Sequence, residues 1–225
     1  MNLPLSARSF CVAALFLAAA TPVHAQTSIG MSYGGYLPIG GSLIREVGGV
    51  NGAIVSYPIL EKWQTGALVL SGRVTQRLTS RINGELRLVH VPGRVSTRDS
   101  TNQVIERSAF MSAVSVRAPF QLSRPGSGIM MQIAPGIAFQ KRGGRAWNGV
   151  AGTTNPAGLM SVGVGGLLGR RSKWSMRIEA EDYFSSVQYN YAHWAPTTKR
   201  FHHDLMLLVG VDYSFKRPSR INTQR

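Results

Sequence analysis

The feature that most constrains this chain is the period of its apolar residues after Gln26. Apolar residues recur at every second position, most clearly near the end, where the apolar ladder is Leu205, Leu207, Val209, Val211, Tyr213 and Phe215. A period of two is typical of β-strands, whereas the apolar stripe of an α-helix repeats at about 3.6 residues. No stretch has a convincing helical stripe with caps, so the sequence predicts an all-β fold.

Eight segments have this period, at residues 27–38, 66–77, 82–92, 107–118, 128–140, 158–169, 174–184 and 200–215. Most are long enough to cross a bilayer as tilted strands, which takes about 9–11 residues. The links alternate between short ones at 78–81, 119–127 and 170–173 and long ones at 39–65, 93–106, 141–157 and 185–199. This alternation is typical of transmembrane barrels, whose periplasmic turns are short and whose outer loops are long. An even strand count then places both termini on the periplasmic side.

The first 25 residues have a different character. Arg8 precedes an almost wholly apolar run, SFCVAALFLAAA, and Val23-His24-Ala25 has the small-x-small pattern of a signal-peptidase site. A run of about a dozen residues is too short for a membrane helix but suits a secretory signal. We therefore expect a signal peptide at 1–25 for Sec export, a barrel at 26–215 and a basic periplasmic tail at 216–225. The single cysteine, Cys11, falls within the signal, so the mature chain is predicted to have no disulfide.

Charged residues cluster on one face of the predicted strands. An interior as narrow as that of an eight-stranded barrel is filled by side chains, so these charges predict an ion-paired plug, with a narrow gated channel for small solutes as the alternative. A soluble periplasmic lipocalin-like binder, with the apolar face turned inward, is also compatible with the alternation. The predicted lumen charge network comprises Arg73, Arg77, Glu85, Arg87, Arg117, Arg177, Glu179, Glu181, Asp204 and Asp212.

The last strand resembles the C-terminal insertion signal of bacterial outer-membrane barrels. The residues that form the signal are Val209, Val211, Tyr213 and Phe215. Chains of that family usually end on the aromatic residue, whereas this chain continues to Arg225. Strand count and length resemble those of the small OmpA/OmpX/OmpW-type barrels. The resemblance implies an eight-stranded antiparallel up-and-down barrel in the outer membrane of a Gram-negative-type bacterium, inserted by the barrel-assembly machinery.

Few residues suggest chemistry. His193, His202, His203 and Asp204 lie near Ser185 and Ser186 in the predicted outer rim, and a His–acid–Ser triad there would suit a lipid A-modifying enzyme. These residues match no catalytic motif, and their spacing does not suggest a metal site. The sequence thus predicts no enzyme, metal or cofactor. The run Lys141-Arg142-Gly143-Gly144-Arg145 lacks the pattern of a phosphate-binding loop and is predicted to be a flexible, basic outer loop.

The basic excess suggests a partner. The formal net charge is +15, or +14 once Arg8 is removed with the signal. Phosphate-rich lipopolysaccharide would attract basic outer loops, whereas export and the lack of a recognition motif argue against nucleic acid. We therefore expect a structural or interaction protein in contact with outer-membrane lipid, of undetermined oligomeric state. The basic residues in or beside the outer loops are Arg94, Arg98, Arg107, Lys141, Arg142, Arg145, Lys199 and Arg200.

Overall fold

The computed structural model describes residues 26–39, 44–46, 60–64, 67–98, 103–123, 129–147, 154–169, 172–189 and 198–215. The predicted signal peptide and the predicted basic tail lie outside these residues. No helix in the described part of the chain is both long and apolar enough to span a membrane.

Antiparallel strands dominate the structure. The eight long strands are β1 (Thr27–Ile39), β4 (Ala67–Arg77), β5 (Asn83–Arg98), β6 (Val104–Arg117), β8 (Ile129–Gly143), β9 (Thr154–Leu167), β10 (Trp174–Tyr189) and β11 (Thr198–Ser214). Three short strands accompany them: β2 (Ile44–Glu46), β3 (Leu60–Gln64) and β7 (Phe120–Gln121). A 3₁₀ turn, η1 (Arg145–Trp147), follows β8.

The eight long strands form a closed barrel. Strand β1 pairs with β4 on one side and with β11 on the other, and the pairing with β11 closes the sheet. Chain neighbours are also neighbours in the barrel, from β4 through β5, β6, β8, β9 and β10 to β11. The predicted all-β, eight-stranded, up-and-down fold is therefore confirmed.

The apolar face of the strands points outward. On β8, Ile137 and Phe139 are exposed while Ala138 and Gln140 are buried, as the alternating strand geometry requires. This orientation is the opposite of a lipocalin-like barrel, which would bury the apolar face. We call the outward apolar surface the apolar belt; it includes Ile29, Met31, Tyr33, Leu68, Leu70, Leu88, Val114, Val116, Ile129, Met131, Ile137, Phe139, Val162, Val164, Met176, Ile178, Leu207 and Val211.

Short turns and both ends of the described chain lie at one end of the barrel. The amides of Leu78 and Thr79 both donate to the carbonyl of Ile82 at 3.0 Å in the turn before β5. At the same end, the amide of Phe215 donates to the carbonyl of Thr27 at 3.0 Å. We call this end, with the turn at 78–82 and the described link residues 118–123, 168–169 and 172–173, the inner end, and the opposite end the outer end.

Strands extend further toward the outer end than the sequence suggested. Strand β5 continues to Arg98 and β6 begins at Val104, so most of the expected loop 93–106 is a hairpin. Strand β10 likewise continues to Tyr189. Strands β2 and β3 pair with each other, and β3 joins the outer part of β5, so the expected loop 39–65 contains strand structure as well.

Candidate functional site

The barrel interior has three layers of different chemistry. Inward-facing side chains of β10 change from Arg177, Glu179 and Glu181 near the inner end to Tyr183 and then Ser185. On β11 the order is Asp212, then Leu208 and Met206, then Asp204. Charged residues thus fill the inner half, apolar residues form a middle layer, and a second polar group lies toward the outer end.

The inner half holds a formally neutral group of charges. Four arginines face four carboxylates, and each member is paired with at least two oppositely charged partners or with one partner through two hydrogen bonds. We call this group the inner ionic cluster; its members are Arg73, Arg87, Arg117, Arg177, Glu85, Glu179, Glu181 and Asp212.

Two arginines illustrate the bonding in the cluster. Arg73 binds Asp212 through two bonds, Nε to Oδ1 at 2.6 Å and Nη2 to Oδ2 at 2.9 Å. Arg117 donates from Nε to Glu85 at 2.8 Å, from Nη1 to Glu181 at 2.7 Å and from Nη2 to Glu179 at 2.9 Å. Such charge-assisted bonds, repeated across strands, join opposite walls of the barrel.

The side chains at the centre of the cluster are fully buried. Arg87 binds Glu85 at 3.2 Å and also pairs with Glu179 and Glu181. The side chains of Arg87 and Glu181 are both 0 % exposed. Arg177 is 10 % exposed and lies nearer the inner end. The centre of the cluster is therefore fully buried within the described part of the barrel.

Small inward-facing residues make room for the cluster. A Cβ added to Gly30 would lie 2.0 Å from Oδ1 of Asp212, and one added to Gly163 would lie 2.9 Å from Cγ of Glu179. Ser161 has a hydroxyl that accepts from Nη1 of Arg117 at 2.8 Å. The charge pattern of the sequence gave no indication of a role for these small residues.

Above the inner ionic cluster lies an apolar layer. Tyr183, Met111 and Met206 are fully buried. Placing an ion among apolar side chains costs several kcal/mol, about 2–7 for an unpaired polar group and more for a charge. The layer consists of Tyr36, Val69, Val89, Val91, Met111, Ala113, Ala138, Ala157, Leu159, Tyr183, Met206 and Leu208.

The outer polar group is centred on Asp204. Its carboxylate accepts from the hydroxyl of Tyr36 at 2.5 Å, from Gln140 at 3.1 Å and from Nη2 of Arg142 at 2.8 Å. Arg142 was expected on an outer loop; it lies instead on β8 with its side chain buried and paired to Asp204. Its position follows from strand alternation, since Ala138, Gln140 and Arg142 share the inward face.

The structure brings eight of the ten predicted lumen charges into the inner ionic cluster and places Asp204 in the outer polar group. Arg77 lies apart from both. Its guanidinium donates to the carbonyls of Thr79 and Ser80, at 3.1 and 3.4 Å, in the turn after β4. Arg77 ends its strand, so the adjacent turn carbonyls are closer to it than the lumen carboxylates are.

The residues considered for a catalytic triad occupy both faces of the barrel. His202, Asp204 and Ser185 are buried in the interior, where Ser185 is the register partner of His202 and donates to Gln140 at 3.5 Å. Ser186 is exposed on the outward face. His203 points outward and binds Asp182 at 2.8 Å. His193 lies outside the described residues. Within the described part of the chain, no three metal-binding side chains come together.

Aromatic residues lie at both ends of the outward surface. Near the inner end, the rings of Trp174 and Tyr213 are 5.0 Å apart and those of Tyr213 and Phe215 are 5.7 Å apart. Near the outer end, Phe184 and Phe201 are 6.4 Å apart. Aromatic girdles of this kind flank the apolar band of transmembrane barrels.

Comparison with solved structures identifies the fold. OprG of Pseudomonas aeruginosa matches with a TM-score of 0.55 at 10 % identity over 85 % of this chain and 97 % of that one. Neisserial surface protein A matches with a TM-score of 0.52 at 9 % identity over the same shares. AlkL, solved in lipid bilayers, matches with a TM-score of 0.55 at 15 % identity over 98 % of this chain and 99 % of that one.

The chain has the fold of small outer-membrane β-barrels. No family model matches the sequence, and no curated protein does. The structural neighbours therefore establish the architecture, and function has to be argued from the interior and the surfaces of this barrel.

Proposed function

We propose that this protein is an outer-membrane barrel with a closed lumen, whose role is structural or interactive. The observation that carries the proposal is the inner ionic cluster, in which four arginines and four carboxylates pair without exposed surface at the centre. Its members fill the inner half of the barrel from wall to wall.

The chemistry of the cluster favours a permanent plug. Removing one partner from a buried ion pair costs about 3–5 kcal/mol, since the other charge is left uncompensated in a medium of low dielectric constant. A solute crossing the inner half would have to separate several such pairs at once. It would then meet the apolar layer, where Met111 and Met206 are fully buried. Both layers support a closed lumen.

The outward surface supports insertion in the outer membrane. A soluble protein rarely exposes an apolar patch larger than a few hundred square ångströms, whereas the apolar belt surrounds this barrel. The insertion signal predicted at Val209, Val211, Tyr213 and Phe215 lies on β11 and in the residue after it, and Val211 and Phe215 are exposed. This placement suits recognition by the barrel-assembly machinery. Basic residues at the outer end would then face lipopolysaccharide.

Conductance in planar lipid bilayers tests the closed lumen. We expect the refolded mature chain to give no channel events at any holding voltage. The control is its own fold, checked by the gel mobility of unheated and boiled samples in SDS, because small membrane barrels resist unfolding in cold SDS. Reproducible conductance from protein that shows the heat-dependent shift would contradict the proposal and favour the narrow channel.

Lipid A analysis tests the absence of an enzymatic role. We expect the acyl pattern of lipid A to be the same in cells that contain and lack the protein. A changed pattern that reverts in His203→Ala would show that the outward His203–Asp182 pair takes part in lipid chemistry.

A further inference from the structure

A basic pocket lies at the outer end of the β5–β6 hairpin. It has a volume of about 690 Å³ and is lined by Gly93, Arg94, Glu106, Arg107, Ser108 and Arg145. None of these residues belongs to the inner ionic cluster or to the outer polar group. We call it the outer basic pocket.

Gly144 brings Arg145 to this pocket. Its φ of +100° lies in the region that side chains other than glycine rarely adopt. A Cβ there would also lie 2.6 Å from the carbonyl oxygen of Ser108 and 2.9 Å from Cα of Ala109. The glycine thus lets the chain leave β8 and cross close to β6, where η1 begins at Arg145. Lys141 to Gly143 belong to β8 and Arg145 begins η1, so the prediction that the run 141–145 is a loop was wrong for these residues.

Positive charge is in excess among the described residues that line the pocket. They include three arginines and one glutamate, and the pair between Arg94 and Glu106, at 3.0 Å, is exposed by 71 % and 48 % at its two side chains. The inner ionic cluster, by contrast, is neutral and buried. Guanidinium groups bind phosphate in a planar, bidentate geometry. An open pocket with this excess suits a phosphate monoester better than it suits a neutral sugar.

The position of the pocket favours a phosphate carried by a lipid. On the outward face, β5 passes from Leu88 in the apolar belt to Arg94, and β6 passes from Val114 to Ser108. The pocket therefore begins where the apolar belt ends. At this level in an outer membrane lie the phosphorylated headgroups of outer-leaflet glycolipid.

We propose that the outer basic pocket binds the phosphate of an outer-leaflet glycolipid through Arg94, Arg107 and Arg145. This inference rests on the proposed outer-membrane placement and names the site at which the basic outer end meets lipopolysaccharide. Gly144 positions Arg145 for binding.

The test uses the mature chain in phosphatidylcholine nanodiscs, with diphosphorylated lipid A and fully dephosphorylated lipid A as probes. Binding is followed by native mass spectrometry. We expect at least about tenfold tighter binding of the phosphorylated probe, and a loss of about tenfold or more in Arg107→Gln/Arg145→Gln, since hydrogen bonds to charged groups are the stronger ones. Equal binding of the two probes by the wild-type chain would overturn the proposal.

Two matched controls separate the pocket from general charge. Arg81→Gln/Lys173→Gln removes the same charge near the inner end and should change binding less than twofold. Gly144→Ala should weaken binding as the double variant does, at unchanged net charge, whereas Gly169→Ala, whose Cβ would meet nothing closer than 3.8 Å, should not. Equal losses of lipid A binding in the two double variants would overturn the proposal. Complete displacement of lipid A by millimolar inorganic phosphate would overturn it as well, because it would indicate a site for free anions.

Failure of the pocket proposal and failure of the proposed closed lumen give different experimental results. A non-conducting, heat-modifiable barrel without preference for phosphorylated lipid A contradicts the pocket alone. A conducting barrel that retains the preference contradicts the closed lumen alone. If Gly144→Ala lacks the heat-dependent gel shift, the arginine double variant still decides the question.

Discussion

Replacing Arg73 by methionine tests whether the inner ionic cluster depends on charge balance. Arg73 holds Asp212 through two hydrogen bonds and lies 3.3 Å from Glu179, and its side chain is 1 % exposed. Arg73→Met leaves three arginines against four carboxylates in a buried space of low dielectric constant. We expect the free energy of unfolding to fall by about 3–5 kcal/mol, the cost of breaking a buried ion pair.

The double variant Arg73→Met/Asp212→Asn restores neutrality, with three arginines and three carboxylates. Asparagine keeps the shape of the aspartate, which is necessary because Asp212 packs directly against Gly30. Replacing both members of a buried pair by uncharged groups is often close to neutral. We therefore expect the double variant to be more stable than Arg73→Met alone, so that the two substitutions are strongly non-additive.

Equilibrium unfolding in urea from phosphatidylcholine vesicles, followed by tryptophan fluorescence, measures these free energies. Arg94→Met is the control, because its pair with Glu106 is largely exposed and should contribute at most about 1 kcal/mol. If Arg73→Met lowers the free energy of unfolding by no more than Arg94→Met does, the cluster does not depend on charge balance. The same conclusion follows if the loss in the double variant equals the sum of the losses in Arg73→Met and Asp212→Asn.

Three further substitutions test the packing and the two faces. Gly30→Ala should prevent the heat-dependent gel shift or lower its transition temperature, because the new Cβ would lie 2.0 Å from Oδ1 of Asp212, whereas Gly35→Ala on the same strand has open space and should behave as wild type. Val164→Arg should make the free energy of insertion into vesicles about 2–4 kcal/mol less favourable, because it turns a charge toward lipid. Insertion equal to that of the wild-type chain would show that the outward face is wrongly assigned. Ser161→Arg should insert but unfold at lower urea, since it adds an uncompensated charge beside the neutral cluster; unchanged stability would argue against that neutrality.

Much of the fold could be predicted because a barrel has only two faces. Once strand alternation was recognised, Glu179 and Glu181 had to share a face, and Met176 and Ile178 had to share the other. The narrow interior of an eight-stranded barrel then makes the charged face an ion-paired filling. Periodicity and strand count were sufficient for this step.

Strand ends were harder to predict because local breakers are overridden by pairing. Pro92 and Gly93 suggested the end of a strand, yet β5 continues to Arg98 alongside β6. Pro92 faces outward and is exposed, and a proline can be tolerated in a ladder where its missing N–H is not needed for pairing. The role of Gly144 could not be predicted for a similar reason, since it depends on a neighbouring strand. A sequence does not tell whether a glycine pair forms a loop or lets the chain pass close to another strand.

The apolar layer is what the charge pattern alone could not reveal, and it contributes to the burial of the cluster. Met206 and Leu208 lie inward on β11, although both flank the apolar ladder that faces lipid, so this strand is apolar on both faces in its middle. These side chains cover the cluster from the outer side. Without them, water from the outer end would reach Glu181 and Arg87 and weaken their attraction by raising the local dielectric constant. In the proposed closed lumen the ionic and apolar layers therefore depend on each other, and opening such a lumen would require both to rearrange together.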